Sequence, residues 1–143
     1  MSDTPQQILI ARTDKLGDVL LALPVAVAIK ARYPQVEVGM LVQPYTVPVV
    51  ELCQAVDTIV RADAPNRIDS ARLQEQHWDT AVTLYPNFGL ARALKKAGIP
   101  RRIGTARRWY SFLFNERVSV PRRAAGRHET DLNFSLLQPL GLD

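Results

Sequence analysis

The chain has 143 residues, 47% of them apolar and 22% charged, the size and composition of one globular domain, which excludes a disordered chain or a coiled coil. Its net charge of +4 is uneven: residues 95–127 hold ten Lys or Arg against Glu116 alone, net +9, which leaves the rest at −5. A basic segment on an otherwise acidic domain fits an anionic partner (a phosphorylated ligand, an anionic membrane or a nucleic acid), or else a solvated face that keeps the domain soluble.

ILIAR (8–12) is a continuous apolar run, as expected of a strand covered on both faces. Residues 17–32 predict a helix stopped by Tyr33-Pro34. Its apolar part, 19–29, looks like a signal-peptide core, but Asp14 and Asp18 stand where a positive segment belongs, a strand precedes it and Pro24 interrupts it. It also falls short of the ~20 apolar residues of a membrane span. The expectation is a cytoplasmic protein. A strand over 36–42 and a short helix from Pro44 to about Cys53 follow. Cys53 is the single cysteine, so no internal disulfide forms, and its neighbours Val49, Val50 and Leu52 predict a buried hydrophobe rather than a nucleophile. Next come a strand over 57–62, a polar helix over 67–76, a strand over 79–85, a helix over 89–97 ended by Gly98-Ile99-Pro100, and a short strand over 101–105. Trp109, Tyr110, Phe112 and Phe114 are spaced for an amphipathic helix on the sheet. A last helix over 128–140 carries Leu132, Leu136, Leu137 and Leu140 and is closed by Gly141. Such alternation implies right-handed crossovers and a parallel sheet with helices on both faces, an α/β Rossmann-like domain.

Ligands of such sheets bind outside the carboxyl ends of the strands, which singles out the loop RTDKLGDV (12–19). A dinucleotide cradle would have G-x-G-x-x-G here. This loop has only Gly17, and the carboxylates of Asp14 and Asp18 would repel a phosphate. Two readings of Asp18 are open. It can be a general base at the mouth of the sheet, within reach of a hydroxyl that loses its proton as it attacks. It can equally be a first-turn acid favoured by the helix dipole, typically by ~0.3–1 kcal/mol.

ILIARTDKLGDVLLALPVAVAIKARYP resembles the opening signature of glycosyltransferase family 9, the lipopolysaccharide heptosyltransferases: a strand, a K/R-x-x-x-[LMI]-G-D loop and an L-P-A-L-like helix. WDTAVTL followed by a helix and RRIGT, and then RHETDLNFSLLQPLG, are similar to later parts of the family's first domain, in the same order. Tyr85 departs from the family, which usually has an Asp- or Asn-like residue there. The resemblance implies a GT-B fold, two Rossmann-like domains facing across a cleft, of which 1–143 is the first and the carboxyl-terminal donor-binding domain is absent. It implies an inverting, metal-independent transfer of heptose from ADP-heptose to the lipopolysaccharide inner core, with no cofactor. The family's catalytic aspartate corresponds to Asp18. Arg12, Thr13, Lys15 and Gly17 flank it as substrate-binding residues, with Lys15 best placed for an anion, and Arg107 and Arg108 suit the acceptor. The isolated chain is then expected to be inactive and to expose an apolar cleft face, through which it would form a two-fold homodimer. Peripheral contact with the inner membrane also fits the resemblance. Two rivals come from other classes: a non-catalytic module binding phosphorylated glycolipid, and a nucleic-acid binder that stacks bases on the aromatic run. The nucleic-acid reading is the less favoured, because that spacing suits packing on the sheet.

Overall fold

A computed structural model describes residues 4–119 and 129–142. Six strands form one sheet: β1 (Gln7–Ala11), β2 (Glu37–Val42), β3 (Thr58–Arg61), β4 (Thr80–Thr83), β5 (Arg101–Thr105) and β6 (Glu116–Val118). Their order is β3-β2-β1-β4-β5-β6 and every pairing is parallel. The helices are α1 (Leu16–Arg32), α2 (Val47–Val50), α3 (Ser70–Gln74), α4 (Phe88–Lys96) and α5 (Glu129–Ser135).

The period of two along the strands sends alternate residues to opposite faces. Ile8, Ile10, Val38, Met40, Val82 and Ile103 pack against α1 and α2 and against Leu136, Leu137 and Leu140 just after α5. Leu9, Ala11, Leu41 and Ala81 pack instead against Leu73 of α3 and Leu90, Ala93 and Leu94 of α4. Helix α1 offers the stripe Val19, Ala22, Val25, Ala26 and Ile29, the spacing that buries one side of a helix. The expected Rossmann-like α/β fold is therefore the observed one. Among the described residues no helix is long and apolar enough to cross a membrane.

Several local expectations give way. The first strand ends at Ala11, one residue short of its predicted end. The segment after β2 is a 3-10 turn (Pro44–Thr46) running into the four residues of α2, with Pro44 and Pro48 at the starts of the two turns. Cys53 is only half-buried, because Leu52 beside it turns outward and is 82% exposed. Helix α3 is half the predicted length and starts late, at Ser70, where the Asp69 side chain caps it by accepting from the Ala71 N–H. Helix α5 stops at Ser135; Pro139 falls in a separate 3-10 turn, and Gly141 closes that turn at φ +79. The predicted start of that helix at His128 lies outside the described residues.

The aromatic run 109–114 does not form a helix. Ser111 intervenes: its hydroxyl donates to Thr105 C=O (2.6 Å) and accepts from the Arg108 N–H (3.0 Å), so the chain turns back tightly after β5. A 3-10 turn (Ser111–Leu113) follows, and then the unforeseen strand β6. Arg101 fixes β6 with a bidentate pair to Glu116, at 2.6 and 2.8 Å.

Candidate active site

In a parallel sheet of this order the crevice lies at the carboxyl ends of β1 and β4, where the direction of winding reverses. The first residues past β1 build its floor. The Arg12 N–H extends the ladder to Leu41 C=O (3.0 Å) while its side chain, 3% exposed, turns inward. The guanidinium donates to both Asp14 oxygens (3.0 and 3.0 Å), to Leu84 C=O at the exit of β4 (3.1 Å) and to Asn133 Oδ1 on α5 (3.0 Å). Its Nη2 also stands 3.6 Å from Asp18 Oδ1. Asn133 donates in turn to Leu21 C=O of α1 (3.3 Å). Thr13 is fully buried; its hydroxyl donates to Pro65 C=O and its own carbonyl accepts from Gln43 Nε2 (2.7 Å). Thus the loop is locked to β2, β4 and α5 before α1 begins.

The chemistry sits on this floor. Lys15 is the N-cap residue of α1, and Asp18 falls in the first helical turn, so the position of its carboxylate is set by the helix. Asp14 and Asp18 are both partly buried and share Arg12. Burial pushes the Asp14 carboxyl up from the usual 3.8 to about 6; Arg12 opposes that rise, and a hydrogen bond to Asp18 and the charge of Asp18 reinforce it. A pair of carboxylates with unlike environments on one guanidinium is suited to handling a proton.

Lys15 and Gly17 are exposed on the rim. A methyl group placed on Gly17 would meet nothing within 4 Å, so packing does not demand a glycine there. Arg12 and Thr13 lie beneath, where contact with a substrate would require the loop to open. Arg107 and Arg108, also exposed, follow β5, two strand spacings or about 10 Å across the sheet. Between them and the loop stands Tyr85, whose N–H reaches Ala11 C=O (3.4 Å). The structure therefore brings Arg12, Thr13, Asp18 and the rim residues Lys15 and Gly17 into one loop, with Arg107 and Arg108 further along the same edge.

Not all of the basic segment faces this edge. Arg101 holds Glu116, Arg102 donates to Leu113 C=O and Ile99 C=O, and Arg117 donates to Ser111 C=O, all structural uses. Arg122, Arg123 and Arg127 lie outside the described residues. A concavity of about 760 Å³ opens elsewhere, between Arg32, Tyr33, Arg101, Glu116 and Pro139. The two partly buried carboxylates held on one buried guanidinium favour the carboxyl edge for chemistry.

Three participants escaped the sequence reading. Asn133 is a buried polar residue on the stripe of Leu136, Leu137 and Leu140, and a polar residue interrupting an apolar stripe was the available signal. Asp14 was legible as an acid but not as the partner of Arg12. Tyr45, whose hydroxyl lies 3.5 Å from Asp14 C=O, carried no local signal at all.

No protein-family model matches the chain. A curated Haemophilus influenzae protein named "Putative glycosyltransferase" is 29% identical over 138 residues, 93% of this chain and 40% of that protein. Solved structures extend the likeness. The glycosyl transferase family 9 protein of Veillonella parvula superposes with a TM-score of 0.81 at 20% identity, over 100% of this chain and 43% of its own. The chain has the fold of a family 9 glycosyltransferase. The E. coli heptosyltransferase WaaC, solved with ADP-2-deoxy-2-fluoro heptose, gives a TM-score of 0.77 at 17% identity, over 96% of this chain and 49% of WaaC. E. coli ADP-heptose lps heptosyltransferase II gives 0.69 at 22%, over 82% and 35%. The family 9 resemblance and its parallel α/β architecture thus stand, and the chain spans less than half the length of each of these relatives.

Proposed function

We propose that the chain is the acceptor-side domain of a family 9 glycosyltransferase of the heptosyltransferase type. The observation that carries the reading is the carboxylate pair on Arg12 at the carboxyl edge, on a loop without the glycines of a phosphate cradle. Such a floor repels a nucleotide diphosphate and welcomes a hydroxyl. The donor, ADP-heptose, would occupy a second domain facing this edge. As the acceptor oxygen attacks the anomeric carbon, Asp18 takes its proton; the bond from that carbon to the diphosphate breaks, ADP leaves with the electron pair, and configuration inverts. Arg12 and Thr13 act from below by holding the loop, while Lys15, Gly17, Arg107 and Arg108 line the path of an anionic acceptor, the inner core of lipopolysaccharide. In this reading the transfer uses no metal and no cofactor and takes place in the cytoplasm at the inner face of the membrane.

The test is a transfer assay with this chain joined to a donor-binding domain. Radiolabelled heptose should move from ADP-heptose to deacylated inner-core saccharide. A chain that binds the saccharide tightly, yet transfers nothing with a competent donor domain in place, would instead be a glycolipid-binding module.

A further inference from the structure

Trp109 is 74% exposed, an unusual position for the residue with the largest apolar surface. It is nonetheless held. Its ring stacks on Phe88 with centroids 5.0 Å apart and planes at 27°, and the edge-on ring of Tyr110 stands 5.5 Å away. Tyr110 rests in turn on Phe114, 6.4 Å away and almost wholly buried. Phe114 fits only because residue 104 is glycine: a Cβ there would come within 2.5 Å of its ring. The four rings form a column rooted in the core that ends in one open indole face.

The column rises at the reactive edge. Phe88 opens α4 just past β4, and Trp109 follows β5. Tyr110 feels the charge of Arg108 and lies beside Tyr85, which connects the column to the loop of Asp14 and Asp18. We infer that Trp109, propped by Phe88 and Tyr110 and flanked by Arg107 and Arg108, is a stacking platform for a sugar ring of an anionic saccharide lying along this edge.

A pyranose ring has an apolar C–H face that loses water favourably against an aromatic face, while its substituents point outward. Arg107 and Arg108, both exposed beside the indole, can take phosphate or carboxylate substituents. About 10 Å separates β5 from β1, a span that a short oligosaccharide covers from platform to Asp18. A membrane surface fits less well. An interfacial anchor needs a continuous apolar face, and here Leu113 and Phe114 turn inward while the exposed Arg107 and Arg108 precede Trp109, leaving Phe88, Trp109 and Phe112 as the outward apolar side chains.

Fluorescence reads the platform directly in the 143-residue chain, because the other tryptophan, Trp78, is 4% exposed in the core. The inference rests on the proposed acceptor only for the choice of probe, a deacylated phosphorylated inner-core saccharide. Its addition should change Trp109 emission saturably. By calorimetry, Trp109→Ala should bind about tenfold more weakly, the upper range for an aromatic contact. Trp109→Phe should restore most of the affinity. Saccharide binding equal in Trp109→Ala and silent in emission would overturn the platform and leave the acceptor reading intact. No saccharide binding by the wild-type chain would overturn both. An emission change given only by phosphatidylglycerol vesicles, or only by oligothymidylate, would make Trp109 a membrane or a nucleic-acid contact instead.

Discussion

Asp14 holds its proton to about pH 6 in the folded chain, against an ordinary value of 3.8. The sign of the linkage follows. A raised folded value favours the folded state fully below about 3.8, and that contribution is lost as pH rises through about 6. Carbon-detected NMR of the aspartate carboxyls should find one group titrating near 6. In Asp18→Asn that midpoint should fall, because the charge of Asp18 and its hydrogen bond both help to raise it. A midpoint unmoved by the substitution would mean the two carboxylates do not interact. The same residues show what a sequence reveals about a site. R-T-D-K-L-G-D placed Asp18 and Lys15 in a loop at the mouth of the sheet, because motif and topology are both written locally. That Arg12 is an internal strut was not legible, since its partners Leu84 and Asn133 lie 72 and 121 residues away.

Strands β1 and β2 were readable because their apolar runs are continuous, as burial on both faces requires, and β3, β4 and β5 because short β-rich runs alternate with helical patterns. Strand β6 was not. It has three residues, and what holds it is the Arg101 pair to Glu116 and the ladder to β5 rather than any pattern of its own. The aromatic run misled for a related reason: helical spacing competed with Ser111, whose side chain captures the backbone of a turn, and the hydrogen bonds won. Within β4 one local cost stands out. Thr83 is buried and its hydroxyl meets no hydrogen-bond partner among the described residues. Leaving such a group unmade costs ~1–3 kcal/mol, so Thr83→Val, nearly the same shape, should stabilise the fold by about 1 kcal/mol in urea denaturation. Unchanged or reduced stability would show that the hydroxyl finds a partner in solution.

At the scale of the molecule, the winding order makes one edge of the sheet reactive. Reversal between β1 and β4 opens the crevice, Arg12 ties its floor to α5 through Asn133, and the column under Trp109 borders it at β5. The proposed transfer depends on a single proton acceptor, Asp18. Replacing it tests the account most directly: in the chain joined to a donor-binding domain, Asp18→Asn should fold normally, bind the inner-core saccharide as before, and transfer heptose roughly 10²–10⁴ times more slowly, as loss of a general base does. Turnover close to that of the unaltered protein would show that Asp18 only complements the dipole of its helix and that the proton goes elsewhere.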